Sequence, residues 1–328
     1  MPLNAQVRRG GASRAPGRDD ILRPHRQAAC LFACLLLCAD CGKRPAAPAR
    51  TRPPAYVKET ATPVPGRPWT VPDLGLELVF VEAGSFTMGS EDWGPVHEVH
   101  ITRPFWMGKY EVTQAEYEAL LGSNPSYFQK GKVLGKEERD WWLWRKLAGP
   151  RDVVLTEDTS EFPVEQVSWE EAVALCVKLS DRERRAGRLP DGYEFRLPTE
   201  AEWDYTARGG AGGRTTKYAG GDVLGTVAWY DGNSEGRPHA VGGKKANELG
   251  LHDMTGNVWE WCLDWYGPYE ARTSADPSGP ATGPYRVYRG GGWSFGASFC
   301  RVARRLRDAP ADSCDYLGFR VVLAPPVH

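Results

Sequence analysis

The chain has 328 residues, and its Lys+Arg 41 nearly balance its Asp+Glu 42, so no global field draws it onto nucleic acid or an anionic membrane. Its 37 Gly, 26 Pro and 13 Trp argue against a helical bundle and for a loop-rich domain with aromatic packing. The length suits one large domain or two small ones, and no solenoid or propeller period runs through it.

In chain order, the N-terminal stretch comes first. Residues 1–27 are rich in Arg, and residues 28–39, AACLFACLLLCA, are continuously apolar. That run is too short for a bilayer-spanning helix, which needs about 20 residues, but it fits the apolar core of a secretory signal. LFAC and LLLC resemble a bacterial lipoprotein box, so one of Cys34, Cys38 and Cys41 is a candidate for lipidation; Asp40 makes Cys41 the weakest of the three. Residues 1–43 are thus expected to be a signal or lipoprotein-type N-terminus. That implies an extracytoplasmic chain, in the periplasm or at the cell surface, held to the membrane by lipid. Residues 44–70 are rich in Pro and read as an extended tether, leaving 71–328 as the globular domain.

Within that domain three helices have clear starts. Thr113 is followed three residues on by Glu116, Ser168 by Glu171 and Thr199 by Glu202. Each pair has the spacing of a capping box, in which hydroxyl and carboxylate satisfy the orphan amides of a first turn. In the second helix Ala172, Leu175, Cys176 and Leu179 share one face, so Cys176 is expected to point inward. The third should stop at Gly209-Gly210. LELVFVEAG, HEVHITRPFWMGKYEVT, RVYRGGGW and GFRVVLA read as strands. Short strands, few helices and many turn residues give an α+β domain.

Seven motifs carry a resemblance to a known family. They are GSFTMGS (84–90), RPFWMGKYEVTQAEYEAL (103–120), FPVEQVSWEEAVALC (162–176), RLPTEAEWDYTARGG (196–210), GLHDMTGNVWEWCLDWYG (250–267), RGGGWSFGASFC (289–300) and LGFRVV (317–322). Their content and order resemble the formylglycine-generating enzyme, or sulfatase-modifying factor, family. The resemblance implies a variant of the C-type lectin-like fold with little regular secondary structure. It leaves an insertion, about 129–161, holding the aromatic patch WWLWRKLAG, which is either a cap on the core or an exposed docking element.

The resemblance also implies site residues. In the family the loop at 253–260 holds Ca²⁺, which would use the Asp253 side chain, the Gly256 and Val258 carbonyls, and Glu260; hard oxygen donors of this kind suit calcium. The family's enzyme holds Cu(I) between two cysteines and oxidises a substrate cysteine to formylglycine. The second of those cysteines falls on Cys300, but the first falls on Phe295 and a nearby serine on Gly292. A benzyl ring cannot ligate copper, so calcium is expected as cofactor and copper is not. Cys176 matches a cysteine that is disulfide-bonded in the family, yet its partner position is Val321.

Four cysteines lie in the domain: Cys176, Cys262, Cys300 and Cys314. An even count in an exported chain favours disulfides, with three pairings open. A Cys300–Cys314 bridge would close a short loop worth roughly 3 kcal/mol. His97 and His100 sit three apart in a strand, on opposite faces, and do not share a metal. Arg301, Arg304, Arg305 and Arg307 form a cationic stretch that the resemblance places beside the family's active-site groove. Arg301, Arg304 and Arg305, with Trp293, are candidate binding residues, although buried arginines commonly serve as paired scaffold. The expected activity is binding of an exported protein, a peptide or a glycan, with no nucleic-acid role. The alternative is a formylglycine-type oxidoreductase or a maturation factor for another exported protein.

Overall fold

The structure, a computed structural model, describes residues 62–134, 153–214 and 216–327. The lipidation candidates Cys34, Cys38 and Cys41, most of the tether and the WWLWRKLAG patch lie outside these residues. Among the described residues no helix is long and apolar enough to cross a membrane.

The tether ends earlier than expected. Trp69–Thr70 (β1) pairs antiparallel with Glu77–Val81 (β2), Trp69 is buried, and the Trp106 indole donates to the Arg67 carbonyl at 2.8 Å. The proline-rich composition concealed a strand that supplies a core tryptophan.

β1 opens a five-stranded sheet completed by Phe105–Gly108 (β5), Glu194–Arg196 (β8) and Val322–Ala324 (β14), in the order β1-β2-β5-β14-β8. A second sheet orders Ser274–Ala275 (β10), Gly94–Ile101 (β4) and Gly84–Ser90 (β3). A third runs Arg305–Asp308 (β12), Arg286–Arg289 (β11), Trp259–Trp265 (β9), Leu317–Gly318 (β13). Val133–Leu134 (β6) and Val153–Val154 (β7) pair across the insertion. The expected strand HEVHITRPFWMGKYEVT is two strands, broken at Thr102–Pro104 and ending at Gly108. GFRVVLA is likewise interrupted at Arg320.

Helices α1 (Gln114–Leu121), α2 (Trp169–Arg185) and α3 (Glu200–Ala207) start where the capping boxes placed them, and all three boxes close in both directions. A short fourth helix, α4, spans Leu224–Val227. Helix α3 is capped at Arg208, and Gly209 follows with φ 90°, a left-handed turn that glycine adopts without a Cβ clash. Ala172, Leu175, Cys176 and Leu179 all face the core, as the helical spacing requires. That core joins α1 and α2 to the five-stranded sheet and to Trp259 and Trp261 of β9. The strand β9 was not expected: WEWCLDW has no clean alternation because both of its faces are covered.

Candidate functional site

The loop leading into β9 carries three left-handed residues: Asp253 at φ 55°, Gly256 at 81° and Asn257 at 60°. A Cβ on Gly256 would lie 2.3 Å from the Trp229 carbonyl oxygen, so only glycine permits this close approach. The loop folds onto Glu111, which accepts from the Asn257 side-chain amide at 2.9 Å and the Val258 amide at 3.1 Å. Asp253 Oδ2 accepts from the Gly242 amide at 2.6 Å, while Asp253 Oδ1 is buried with no hydrogen-bond partner. Glu260 is taken by Arg320: Nε and Nη2 each donate to it at 2.6 Å, and the Trp203 indole donates at 2.7 Å.

Three fully buried carboxylates therefore share one buried guanidinium. Burial first, and the Asp253 and Glu260 charges next, hold the Glu111 carboxyl well above the usual range. Burial also pushes Asp253 up to about 6. Glu111 was missed in the sequence because it sits in a run read as strand. Its neighbours Lys109, Thr113 and Gln114 are polar, so nothing local marks Glu111 as a buried carboxylate. As a test of cation fit, the orphaned Asp253 Oδ1 suits a hard cation. Glu260 suits it less, since Oε2 already accepts from both Arg320 and the Trp203 indole, and Oε1, which accepts from Arg320, retains only a second lone pair.

Cys300 lies under Tyr218, Leu224, Val227 and Ala228, fully buried, with its sulfur 3.9 Å from the Phe295 carbonyl oxygen. Burial pushes its thiol up to about 12. The Phe295 ring packs on Trp259, Phe299 and Tyr316 at 5.5, 5.6 and 5.0 Å. A Cβ at Gly292 would meet Trp259 at 3.2 Å and Phe295 at 3.4 Å, so the missing side chain at 292 accommodates the ring at 295. The expected disulfides are absent: Cys176, Cys262, Cys300 and Cys314 are all free thiols. The reason is distribution. Cys176, Cys262 and Cys300 each sit in a different apolar cluster, and the partly buried Cys314 packs against the cluster that holds Cys176.

The arginine stretch divides by burial. Arg305 donates to Glu200 at 2.6 Å and stacks on Tyr269; Arg289 completes that network through Glu200 and Asp204. Arg305 is thus scaffold rather than a ligand-facing residue. Trp293 is corrected in the same way: it is buried against Phe128, and its indole donates to the Asp315 carbonyl at 3.0 Å. Arg301 reaches the surface and pairs with Asp92 at 3.3 Å. Arg304 packs on the rings of Trp93 and Phe299. Among the described residues no group of three or more His, Cys, Asp and Glu side chains is arranged to hold a metal ion by itself.

The profile of the "Sulfatase-modifying factor enzyme 1-like domain" matches residues 70–325. The chain belongs to the sulfatase-modifying factor family. It is 34% identical to a formylglycine-generating enzyme of Streptomyces coelicolor over 293 residues, covering 74% of this chain and 87% of that one. It is 30% identical to the chaperone protein LppX of Paenibacillus barcinonensis, covering 66% and 78%. Among solved structures, Treponema denticola variable protein 1 superposes with a TM-score of 0.65 at 30% identity, over 79% of this chain and 99% of that one. The α+β architecture with little regular secondary structure is the family's own, and the seven motifs read in the sequence all fall within the matched span.

Proposed function

We propose that this protein is a non-oxidising member of the sulfatase-modifying factor family, exported and lipid-anchored, that binds a peptide segment of another extracytoplasmic protein. The observation that carries this reading is the pairing of Cys300 with Phe295. Cuprous ion is held by soft thiolates in pairs. Here one sulfur is buried as a neutral thiol, and an aromatic ring packed on three others stands at the second position. The donor set does not fit copper, and no oxidative step is assigned. The likeness to LppX, a protein named as a chaperone, supports a role in handling another polypeptide.

The test is to titrate Cu(I) into the reduced full chain and incubate it with a peptide carrying CxPxR. No stoichiometric uptake and no aldehyde are expected. One copper per chain together with aldehyde formation would overturn the reading.

A cation at the Asp253 loop is a second proposal, favoured by the unpartnered Asp253 Oδ1 beside Glu111. Calcium would take that oxygen and the Gly256 and Val258 carbonyls, with Glu260 contributing only what Arg320 leaves. It would supply fixed positive charge to a loop short of it, not chemistry. The thermal midpoint should rise with Ca²⁺ and fall with EDTA, and Asp253→Ala should remove the difference. Identical midpoints in both conditions would refute it.

A further inference from the structure

Every buried arginine among the described residues has a carboxylate: Arg196 pairs with Glu202, Arg289 and Arg305 with Glu200, and Arg320 with Glu260. The half-buried Arg304, like Arg286, has none. Its guanidinium carbon lies 3.7 Å from the centroid of Trp93 and 4.7 Å from that of Phe299, so it packs on two aromatic rings. Among the described residues its guanidinium makes no ion pair and no side-chain hydrogen bond, and its Nε is buried with no acceptor. The Trp93 indole nitrogen beside it is also buried without an acceptor. Partial burial pulls the Arg304 guanidinium below its ordinary value, the direction expected of a cation that has lost water and gained no counter-charge.

The surroundings extend this arrangement into a strip. Phe299 leads to Phe295, 5.6 Å away, whose carbonyl oxygen lies 3.9 Å from the buried Cys300 sulfur. In the other direction Tyr266 is stacked by Arg305 and by the exposed Arg307, and Arg307 also lies over Tyr285. Arg301 stands beside the same loop, neutralised by Asp92.

We propose that Arg304, packed on Trp93 and Phe299, is the anchor of a binding site for carboxylate side chains of an acidic peptide segment. Ring stacking leaves the in-plane Nη edge for a ligand, and along that edge a carboxylate accepts two parallel N–H bonds; of the Arg304 side-chain nitrogens only Nε is buried without a partner. Charge complementarity sets the sign: Arg304 and Arg307 are cations without carboxylate partners among the described residues. A uronate glycan fits less well, because sugars stack on open ring faces and Arg304 already occupies one face each of Trp93 and Phe299. This site rests on the peptide-binding reading above and names the chemistry of its ligand.

The test uses the full chain purified in detergent and three fluorescein-labelled probes: a glutamate- and tyrosine-containing dodecapeptide, the same peptide with glutamine for glutamate, and a uronate oligosaccharide. The acidic peptide should bind at least tenfold tighter than its glutamine form, and the preference should weaken with salt. Arg304→Gln should remove the preference, and Arg304→Lys, which keeps the charge and loses the planar fork, should retain only part of it. Asp92→Asn frees Arg301 and should tighten acidic-peptide binding several-fold, a gain that misfolding cannot mimic. Equal affinity for the two peptides, an unchanged preference in a folded Arg304→Gln chain, no gain in Asp92→Asn, or selection of the uronate probe over the acidic peptide would each overturn the proposal. A chain that makes no aldehyde and ignores acidic peptides keeps the non-oxidising reading and loses this one. A chain that prefers acidic peptides and forms aldehyde does the reverse.

Discussion

Replacing Arg320 with methionine is the sharpest probe of how this domain holds its buried charge. Arg320 and Glu260 are both fully buried, so solvent screens neither. The guanidinium donates two charged bonds to Glu260 at 2.6 Å and further bonds to the Gly108 and His252 carbonyls at 2.9 and 3.0 Å. Methionine fills much of the volume but leaves Glu260, Glu111 and Asp253 together with no buried cation. Removing one partner of a buried pair costs about 3–5 kcal/mol. Two lost charged bonds at about 1.5–3 kcal/mol each give about 3–6 kcal/mol, which overlaps that range. Acid should relieve the defect, since the stranded carboxylates take up protons in the folded state: groups raised above their unfolded values stabilise below those values and lose that contribution as pH rises. Urea unfolding followed by tryptophan fluorescence at pH 5 and pH 8 measures both effects. Arg320→Met should lose about 3–5 kcal/mol at pH 8 and clearly less at pH 5. A loss under 1 kcal/mol, or the same loss at both pH values, would show that Arg320 is not what neutralises the cluster.

Three further outcomes are expected. Glu165 is fully buried, accepts from the Tyr127 and Phe128 amides, and is pushed by burial to about 8. Its stabilising protonation is complete below the unfolded value near 4.3 and is lost as pH rises toward about 8, so Glu165→Gln should flatten the decline in stability between pH 5 and 8 by up to about 1.4 kcal/mol per pH unit, read from urea midpoints. Gly256→Ala should destabilise by more than about 1 kcal/mol, because it meets both a φ of 81° and a carbonyl oxygen 2.3 Å away; a neutral result in thermal unfolding would mean that the loop shifts freely. Phe295→Cys places a second thiol five residues before Cys300. Under reducing conditions it should gain one Cu(I) per chain while losing roughly 2–4 kcal/mol of aromatic packing, and a variant that stays copper-free would show that the packing around Cys300, not the residue type at 295, excludes the metal.

What could be read from the sequence alone is whatever depends on neighbours in the chain. The boxes Thr113/Glu116, Ser168/Glu171 and Thr199/Glu202 are three-residue relations set by helix geometry, and the inward turn of Cys176 follows from the same period. The substitution of Phe295 and its spacing to Cys300 are equally local, as is the family likeness in the motifs. Tertiary structure decided everything that joins distant segments. Arg320 meets Glu260 across 60 residues, Glu111 meets Asn257 across 146, and Arg301 meets Asp92 across 209. No periodicity reports such pairings, because it records which face a side chain takes and not what the fold brings against that face. The cysteines make the same point. An even count allowed bridges, but packing dispersed the thiols, and only the folded arrangement separates a bridge from a buried sulfur. Arg304 and Arg305 are adjacent in the chain, yet one stacks on aromatics without a counter-charge and the other, the first residue of β12, pairs with Glu200, because the fold brings different partners against neighbouring residues.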